Sequence, residues 1–163
     1  MVVVSDSSPL ISLAAVKQLS LLADVFGPIM VPDTVWEEVT ARGARRPGAA
    51  EVAGADWIKR HAVAESSVGT LLKQELDAGE AAPLALALQQ EADVVLLDER
   101  RARKRATDLG LAVVGTLGVL LAAKRQGYLQ ALRPMLDGLR YEVGMWLSDM
   151  LYREILIQAG EAP

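Results

Sequence analysis

The chain has 163 residues, of which 52% are hydrophobic, and its formal net charge is -4 at pH 7. This length fits one domain with a substantial core, and the acidic balance argues against a general electrostatic attraction to nucleic acid. The sequence contains no cysteine, which excludes disulfides, thiolate metal sites and cysteine nucleophiles and fits a reducing cytoplasm.

The first predicted unit is a strand that ends in an acid, in the stretch VVVSDSSPLISL. Residues 2–4 are β-branched valines, typical of a buried parallel strand, and no basic segment precedes them as in a secretory signal. Asp6 follows, and Ser7 begins an amphipathic helix. Ligands of parallel α/β sheets bind outside the carboxyl ends of the strands, so Asp6 is a candidate functional carboxylate. Taken alone, it fits a helix cap better.

Two further strands follow this unit. PIMV is a short strand, and Pro32 begins a helix through VWEEV that carries Glu37 and Glu38. Residues 41–55 are rich in Gly, Ala, Arg and Pro, which predicts a loop or a short helix. WIKRHAV alternates like an edge strand. Its His61 is the only histidine, which excludes a two-imidazole mechanism and favours a structural role.

The alternation of strands and helices continues toward the C-terminus. Two helical patterns are separated at Gly79, and Glu80 lies in the first turn of the second. DVVLLD is an apolar strand that ends in Asp98, and it is followed by a basic helix, the strand LAVVG and the helix TLGVLLAAKRQG. The uncharged run from Gly110 to Ala123 is too short to span a bilayer. This repeat predicts a parallel sheet covered by helices on both faces.

The tail is predicted to be helical over residues 129–160. LQALRPMLDGL and WLSDMLYREILIQAG carry apolar residues at helical spacing, which favours packing in the core over a partner-binding groove. The stripe consists of Leu147, Met150, Leu151, Ile155 and Leu156. We therefore expect one domain over residues 1–163, with this segment packed on it or at a dimer interface.

Four carboxylates are expected to converge at one edge of the sheet. Asp6 and Asp98 end parallel strands, and Glu38 and Glu80 lie near helix N-termini, which face the same edge. Clustered carboxylates destabilise a fold unless a cation neutralises them, and an all-oxygen ligand set suits Mg²⁺ or Mn²⁺. Such an ion can lower the pKa of a bound water and orient it toward phosphorus, so the implied chemistry is phosphodiester hydrolysis.

Other chemistries find less support in the sequence. The chain has no P-loop, no G-x-G-x-x-G fingerprint and no G-x-S-x-G nucleophile motif. An aspartyl-phosphate enzyme of the haloacid dehalogenase type requires a second aspartate where this chain has Ser8. The basic run after Asp98 either contacts an RNA backbone or is a solvated helix face. The candidate RNA-binding residues in it are Arg100, Arg101, Arg103 and Lys104.

The ordered set of these segments resembles PIN-domain proteins, and in particular the PIN-like subgroup related to VapC toxin ribonucleases. The resemblance covers nearly the whole chain, through VVVSDSSPLISL, VPDTVWEEV, LDAGEAAPLALALQQEADVVLLDERRAR, GLAVVGTLGVLLAAKRQG and LSDMLYREILIQAGE. It implies a three-layer α/β/α sandwich with a central parallel sheet of four to five strands. It also implies a cytoplasmic Mg²⁺- or Mn²⁺-dependent endoribonuclease, the dimeric toxin of a toxin-antitoxin pair, with an antitoxin protein and RNA as partners.

The resemblance also assigns the site residues. The catalytic and metal-binding acids correspond to Asp6, Glu38, Glu80 and Asp98. Glu38 is preferred to Glu37 because an aliphatic residue, Val39, follows it as in the family's motif. The auxiliary positions correspond to Ser7, Glu99 and Thr116, and Glu99 can alternatively be a helix-start charge. The rival hypothesis is a PIN-like protein-binding module that has lost most or all of its activity.

Overall fold

A five-stranded parallel sheet forms the centre of the protein. The computed structural model describes residues 1–42 and 44–163. The strands are β1 (Val3–Ser5), β2 (Ile29–Pro32), β3 (Ile58–His61), β4 (Val94–Leu96) and β5 (Val113–Val114). They are ordered β3-β2-β1-β4-β5, and every neighbouring pair is parallel. The N-terminal strand is therefore the central one, and β3, which the alternation of WIKRHAV predicted to be an edge strand, lies at one edge.

Ten α-helices connect or flank the strands in the described part of the chain. They are α1 (Ser7–Ala15), α2 (Leu21–Phe26), α3 (Asp33–Val39), α4 (Ala49–Gly54), α5 (Ser67–Glu75), α6 (Ala78–Gln89), α7 (Arg100–Asp108), α8 (Thr116–Arg125), α9 (Arg133–Gly138) and α10 (Asp149–Gln158). A π-helical turn, Leu139–Val143, continues α9. Of the predicted loop or short-helix region 41–55, Gly43 lies outside the described residues, and α4 occupies its end. No helix within the described residues is long and apolar enough to cross a bilayer.

The sheet separates two hydrophobic cores, because successive side chains of a strand point to opposite faces. On one face, Val3 and Leu96 lie in a core with side chains of α1 to α4 and α8 to α10. On the other face, Val4 and Val95 lie in a core with side chains of α5, α6 and α7. The predicted three-layer α/β/α sandwich with four to five parallel strands is thus confirmed.

The break between α5 and α6 differs from the sequence-based expectation. It lies at Leu76 and Asp77, and Gly79 is the second residue of α6 rather than a separator. The reason is a reciprocal cap: the Asp77 N–H donates to Glu80 Oε2 at 3.4 Å, and the Glu80 N–H donates to the Asp77 carbonyl at 3.0 Å. This cap satisfies backbone donors of the first turn, so the helix begins before the glycine.

The C-terminal segment packs on the first core through part of its apolar stripe. Leu156 is fully buried and Leu147 nearly so, whereas Met150 is 79% exposed. The expectation that the whole stripe packs in the core is therefore wrong for Met150, which lies in the first turn of α10 on its solvent side. Trp146, just before α10, is 84% exposed.

Glu161 fastens the end of the chain to the start of α9. Its carboxylate accepts the N–H groups of Leu132 at 2.6 Å and Arg133 at 3.2 Å, and it lies 3.4 Å from Lys124 Nζ. Burial acts to raise the pKa of Glu161, but the two N–H groups and the ammonium outweigh it and hold this pKa below its usual value. The carboxylate is therefore ionised when it makes these three contacts, which we call the Glu161 clasp.

Candidate active site

Asp6 lies at the carboxyl end of the central strand and begins the first helix. Its N–H donates to the Leu96 carbonyl at 3.0 Å, which extends the pairing of β1 with β4 by one residue. Its side chain caps α1 by accepting the Ser7 N–H at 2.7 Å. Only 8% of the residue is exposed, because strands flank it on both sides. The backbone thus fixes a buried carboxylate at the edge of the sheet.

Three other carboxylates act on Asp6. Burial raises its pKa from 3.8 to about 7; the Ser7 N–H opposes this shift, and the charges of Glu38, Glu80 and Asp98 add to it. The acids that the sequence predicts to converge are therefore close enough to influence Asp6 electrostatically. Within the described residues, none of the four takes part in an ion pair.

The two adjacent glutamates of α3 point to different surroundings. Ser7 Oγ donates to Glu38 Oε2 at 2.7 Å, so the helix that follows β1 is joined to the helix that follows β2. Glu37 is exposed, and its Oε1 lies 3.7 Å from Arg60 Nη2. The geometry favours Glu38 as the member of the acid cluster.

Asp98 is held by the N-terminus of α8. Its Oδ1 accepts the Thr116 N–H at 2.7 Å, and its Oδ2 accepts the Thr116 hydroxyl at 2.6 Å. Thr116 is fully buried, so this pair of bonds is shielded from water and sets the orientation of the carboxylate. The helix dipole of α8 also favours a negative charge at this position.

Glu80 lies in the first turn of α6, where its carboxylate reaches back to the Asp77 N–H. A Cβ on the neighbouring Gly79 would lie 3.7 Å from Glu38 Oε2, an ordinary contact distance, so Gly79 lies beside the Glu38 carboxylate. The start of α6 and the middle of α3 therefore meet at the cluster.

Of the four basic residues predicted to bind RNA, Arg103 lies nearest the acids. Arg103 Nη1 donates to the Leu97 carbonyl at 2.9 Å, next to Asp98. A Cβ on Gly115 would lie 2.5 Å from that nitrogen and 3.0 Å from Asp98 Oδ1, so both side chains lie against Gly115, and a larger residue there would displace the flexible guanidinium. This role of Gly115 was missed in the sequence, where the only signal is a glycine between the strand LAVV and Thr116.

The other basic residues and Glu99 have different local roles. Arg101 Nη2 donates to the Glu75 carbonyl at 2.7 Å, Lys104 Nζ is 4.0 Å from Asp108, and Arg100 is exposed. The Glu99 carboxylate caps α7 by accepting the Ala102 N–H at 2.7 Å. This cap corresponds to the helix-start alternative for Glu99.

The donor set of the cluster fits a hard divalent cation. It consists of carboxylates with neighbouring hydroxyls, and its buried member, Asp6, faces three like charges that only a cation would neutralise. In residues 1–42 and 44–163, no three acidic or histidine side chains stand in an arrangement that would hold a metal ion. Binding of one ion by several of these carboxylates therefore requires side-chain rotation.

A family model described as a PIN domain, DUF3368, matches residues 2–161. The chain belongs to this PIN-domain family. PIN domains are generally nucleases and typically use divalent metal ions. No curated protein and no solved structure matches the chain. The relation of this PIN domain to VapC toxins stays a prediction.

An apolar groove of about 760 Å³ lies next to the acid cluster of the PIN domain. Asp98 and Arg103 form one part of its lining, and Trp146, Leu151 and Ile155 form another. The apolar tail is predictable from the sequence, but this groove is not. Its shape depends on how the segment before α10, which carries Trp146, packs against α8 and β5. The groove is a candidate surface for a protein partner.

Proposed function

We propose that this PIN domain is a Mg²⁺- or Mn²⁺-dependent endoribonuclease of the cytoplasm. Its catalytic acids and metal ligands are Asp6, Glu38, Glu80 and Asp98. The observation that supports this most strongly is the environment of Asp6, which is 8% exposed and has a pKa of about 7. A carboxylate kept beside three others without a cationic partner favours a function that supplies a cation.

The residues around the acids have separate roles in this proposal. Ser7 binds Glu38, and Thr116 binds Asp98, so each hydroxyl limits the movement of one ligand in the metal-free protein. A bound divalent ion would neutralise the cluster, lower the pKa of a water and stabilise the leaving oxygen of a phosphodiester. Arg103 lies beside Asp98, where its guanidinium can bind an RNA phosphate. If Arg100, Arg101 and Lys104 contribute to RNA binding, they would contact a part of the RNA backbone farther from Asp98 than the phosphate bound by Arg103.

The adjacent glutamates of α3 provide the test. We expect Glu38→Gln to lower Mn²⁺-dependent cleavage of a mixed RNA pool by more than about 100-fold, because it removes a charged ligand. Glu37→Gln, one residue away and exposed, should cleave at the rate of the parent protein. Purified proteins are compared in Mn²⁺ and in EDTA, and circular dichroism checks their folding.

Two results would contradict the proposal. Equal cleavage by the parent and Glu38→Gln would show that the acid cluster does not carry the activity. Absence of cleavage by the parent, with Mn²⁺ still raising its melting temperature, would favour the inactive protein-binding module, because a ligand of the native state stabilises it in either case.

The apolar groove supports a second proposal, that the domain binds a protein partner as well as RNA. Trp146, which lines the groove, is 84% exposed, and Met150 in the first turn of α10 is 79% exposed, so the tail presents two large apolar side chains to solvent. We propose that the tail, packed on the rest of a single domain, presents this surface to a second copy of the chain in a homodimer. An antitoxin protein that blocks the acid cluster from the same side would make the nuclease the toxin of a pair.

A further inference from the structure

A second cavity, of about 460 Å³, lies beside the acid cluster and plays no part in the chemistry proposed above. It is enclosed by the start of α3, residues 62–66 after β3, and the facing sides of α5 and α6. Its volume falls within the range of small-molecule sites. Small side chains cover the α6 side: Ala78, Ala81, Ala82 and Ala85.

The cavity and the acid cluster share two helices. On α3, Thr34 lines the cavity, and Glu38 follows it by four residues, so both lie on the same face about one turn apart. On α6, Ala78 and Ala81 line the cavity, and Glu80 lies between them in the chain. The rise along α3 from Thr34 to Glu38 is about 6 Å, so the cavity and the acid cluster lie at adjacent turns of this helix.

The wall after β3 is held in place by one side chain. Gln89 at the end of α6 donates to the Ala64 carbonyl at 2.6 Å and accepts the Ala64 N–H at 3.0 Å. Ser66 then caps α5 by accepting the Gly69 N–H at 3.0 Å. These bonds fix the cavity before any ligand enters, and preorganisation of this kind lowers the entropic cost of binding.

The lining fits a neutral planar ring better than a phosphate. Lys73 is the one cationic residue of the lining, against the carboxylates of Asp33 and Glu65, and Arg60 already binds Asp33 at 2.8 Å. An anion would therefore meet no net positive charge. The alanines of α6 instead form an apolar surface without bulky side chains, against which a flat ring can lie.

Hydroxyl groups supply the hydrogen bonds that such a ring would need. Ser66 Oγ accepts the Gly69 N–H, so its own proton is free to be donated. Thr70 Oγ1 donates to the Ser66 carbonyl at 3.1 Å, so its lone pairs can accept. An apolar surface with a donor and an acceptor at its rim can hold a nucleobase, by contact with the face of the ring and hydrogen bonds to its edge.

We propose that this cavity is a base-binding subsite, which takes one nucleobase of a single-stranded RNA while the adjoining phosphodiester lies at the acid cluster. This inference rests on the proposed nuclease function, because it makes the base the neighbour of the cleaved bond. Selection of the cleavage position then depends on the fit of one base in this cavity, in addition to contacts along the phosphate backbone.

The test compares two leucine substitutions on α5. Thr70→Leu places a larger apolar side chain in the lining, whereas Gln74→Leu, one turn later, makes an exposed control outside it. The substrates are short RNAs that are identical except for a single abasic position moved through the sequence. Mn²⁺-dependent kcat/KM is measured for cleavage, and fluorescence anisotropy in EDTA measures binding without chemistry.

We expect one abasic position to lower kcat/KM and binding by about 10- to 100-fold in the parent and in Gln74→Leu, because the hydrogen bonds and the apolar contact of the base are lost together. Thr70→Leu should lower kcat/KM and binding by a similar factor on the intact RNA. In this variant the abasic substitution should lower them little further. Ala78→Leu, a second exposed position of the lining, should behave like Thr70→Leu.

Equal abasic losses in Thr70→Leu and the parent would overturn the subsite, as would an RNA in which no abasic position matters. Either result leaves the nuclease standing if the parent still cleaves RNA. If the parent cleaves nothing, the proposed function fails, and the anisotropy measurements in EDTA still decide whether the cavity binds a base.

Discussion

The carboxyl group of Asp6 combines burial, a capping hydrogen bond and three neighbouring acids. Burial and the three acids raise the pKa of Asp6, whereas the capping hydrogen bond lowers it, and burial dominates because strands cover Asp6 on both sides. The residue therefore binds a proton more tightly in the folded chain than in the unfolded one. Its protonation couples the stability of the protein to pH in a direction opposite to that of an ion-paired aspartate.

The metal-free protein is expected to lose stability as the pH rises. Since the folded pKa of about 7 lies above the value of 3.8, the contribution of Asp6 is most favourable below pH 4 and is lost progressively up to pH 7. The full difference is at most roughly 4 kcal/mol, at 1.36 kcal/mol per pKa unit. Asp6→Asn keeps the acceptor for the Ser7 N–H but carries no charge, so it should be more stable than the parent at pH 8.

Urea unfolding in EDTA at pH 5 and pH 8 measures this effect. The stability gained by Asp6→Asn relative to the parent should be larger at pH 8 than at pH 5. Identical differences at both pH values would mean that Asp6 titrates normally. Asp56→Asn, at an exposed aspartate that takes part in no ion pair within the described residues, is the matched control for the general effect of removing a charge.

Sequence reasoning identifies the acids because their positions follow from topology. Asp6 and Asp98 each come just after a strand, and parallel strands bring their carboxyl ends together. The choice between Glu37 and Glu38 is harder, since it depends on the rotation of α3 about its axis. The contact between Arg103 and Gly115 cannot be predicted from the sequence, because four neighbouring residues are also cationic. Only tertiary packing determines which of these side chains reaches Gly115.

At the scale of elements, the order of strands and helices is predictable and their ends are less so. The strands are short and apolar with helical segments between them, a pattern with one simple architectural solution. The start of α6 was misplaced because glycine suggests a break, whereas the cap of Asp77 and Glu80 decides the boundary. Met150 was misplaced because periodicity gives a stripe but not which of its members a neighbouring helix covers.

The clasp of Glu161 is expected to stabilise α9. Glu161→Ala removes the acceptor of the Leu132 and Arg133 N–H groups and the partner of Lys124, which should cost about 1–2 kcal/mol. Hydrogen exchange should show faster exchange of these two amides, and thermal unfolding should show a lower melting temperature.

Glu154→Ala, at an exposed position of α10, is the control for the clasp. It should change the free energy of unfolding by less than about 0.5 kcal/mol, as surface substitutions usually do, and therefore leave the melting temperature almost unchanged. Because the pKa of Glu161 is lowered, the contribution of the clasp should be present at neutral pH and decline as the pH falls through that pKa. Equal exchange rates in Glu161→Ala and the parent would show that the clasp does not order α9.

At the scale of the whole molecule, the two sides of the sandwich differ in what they expose. On the side of the second core, Val68 and Leu71 of α5 are 42% and 54% exposed, whereas Trp146 and Met150 in the tail of the first core are 84% and 79% exposed. This asymmetry supports the proposed association through the tail. The proposed partner would then lie next to Asp98, because the groove lined by Trp146 is also lined by that residue.

Trp146→Ser is expected to weaken self-association. Truncation of a large exposed aromatic residue in an interface commonly costs 2 kcal/mol or more, which is about 30-fold in the dissociation constant. Sedimentation velocity over a range of protein concentrations should show the parent as a dimer and the variant shifted toward the monomer. Tyr128→Ser, at a half-exposed residue outside the groove, should leave the dimer intact. A monomeric parent would exclude the homodimer.

The central position of β1 has a consequence for the order in which the protein is made. The strands on one side of β1 come from residues 29–61, and those on the other side come from residues 94–114. A nascent chain that has left the ribosome only as far as β3 carries Asp6, Ser7 and Glu38 but neither Glu80 nor Asp98. Half of the sheet can therefore form during synthesis while the cluster of acids is still incomplete, and all four acids of the proposed site are present only after Asp98 has been added.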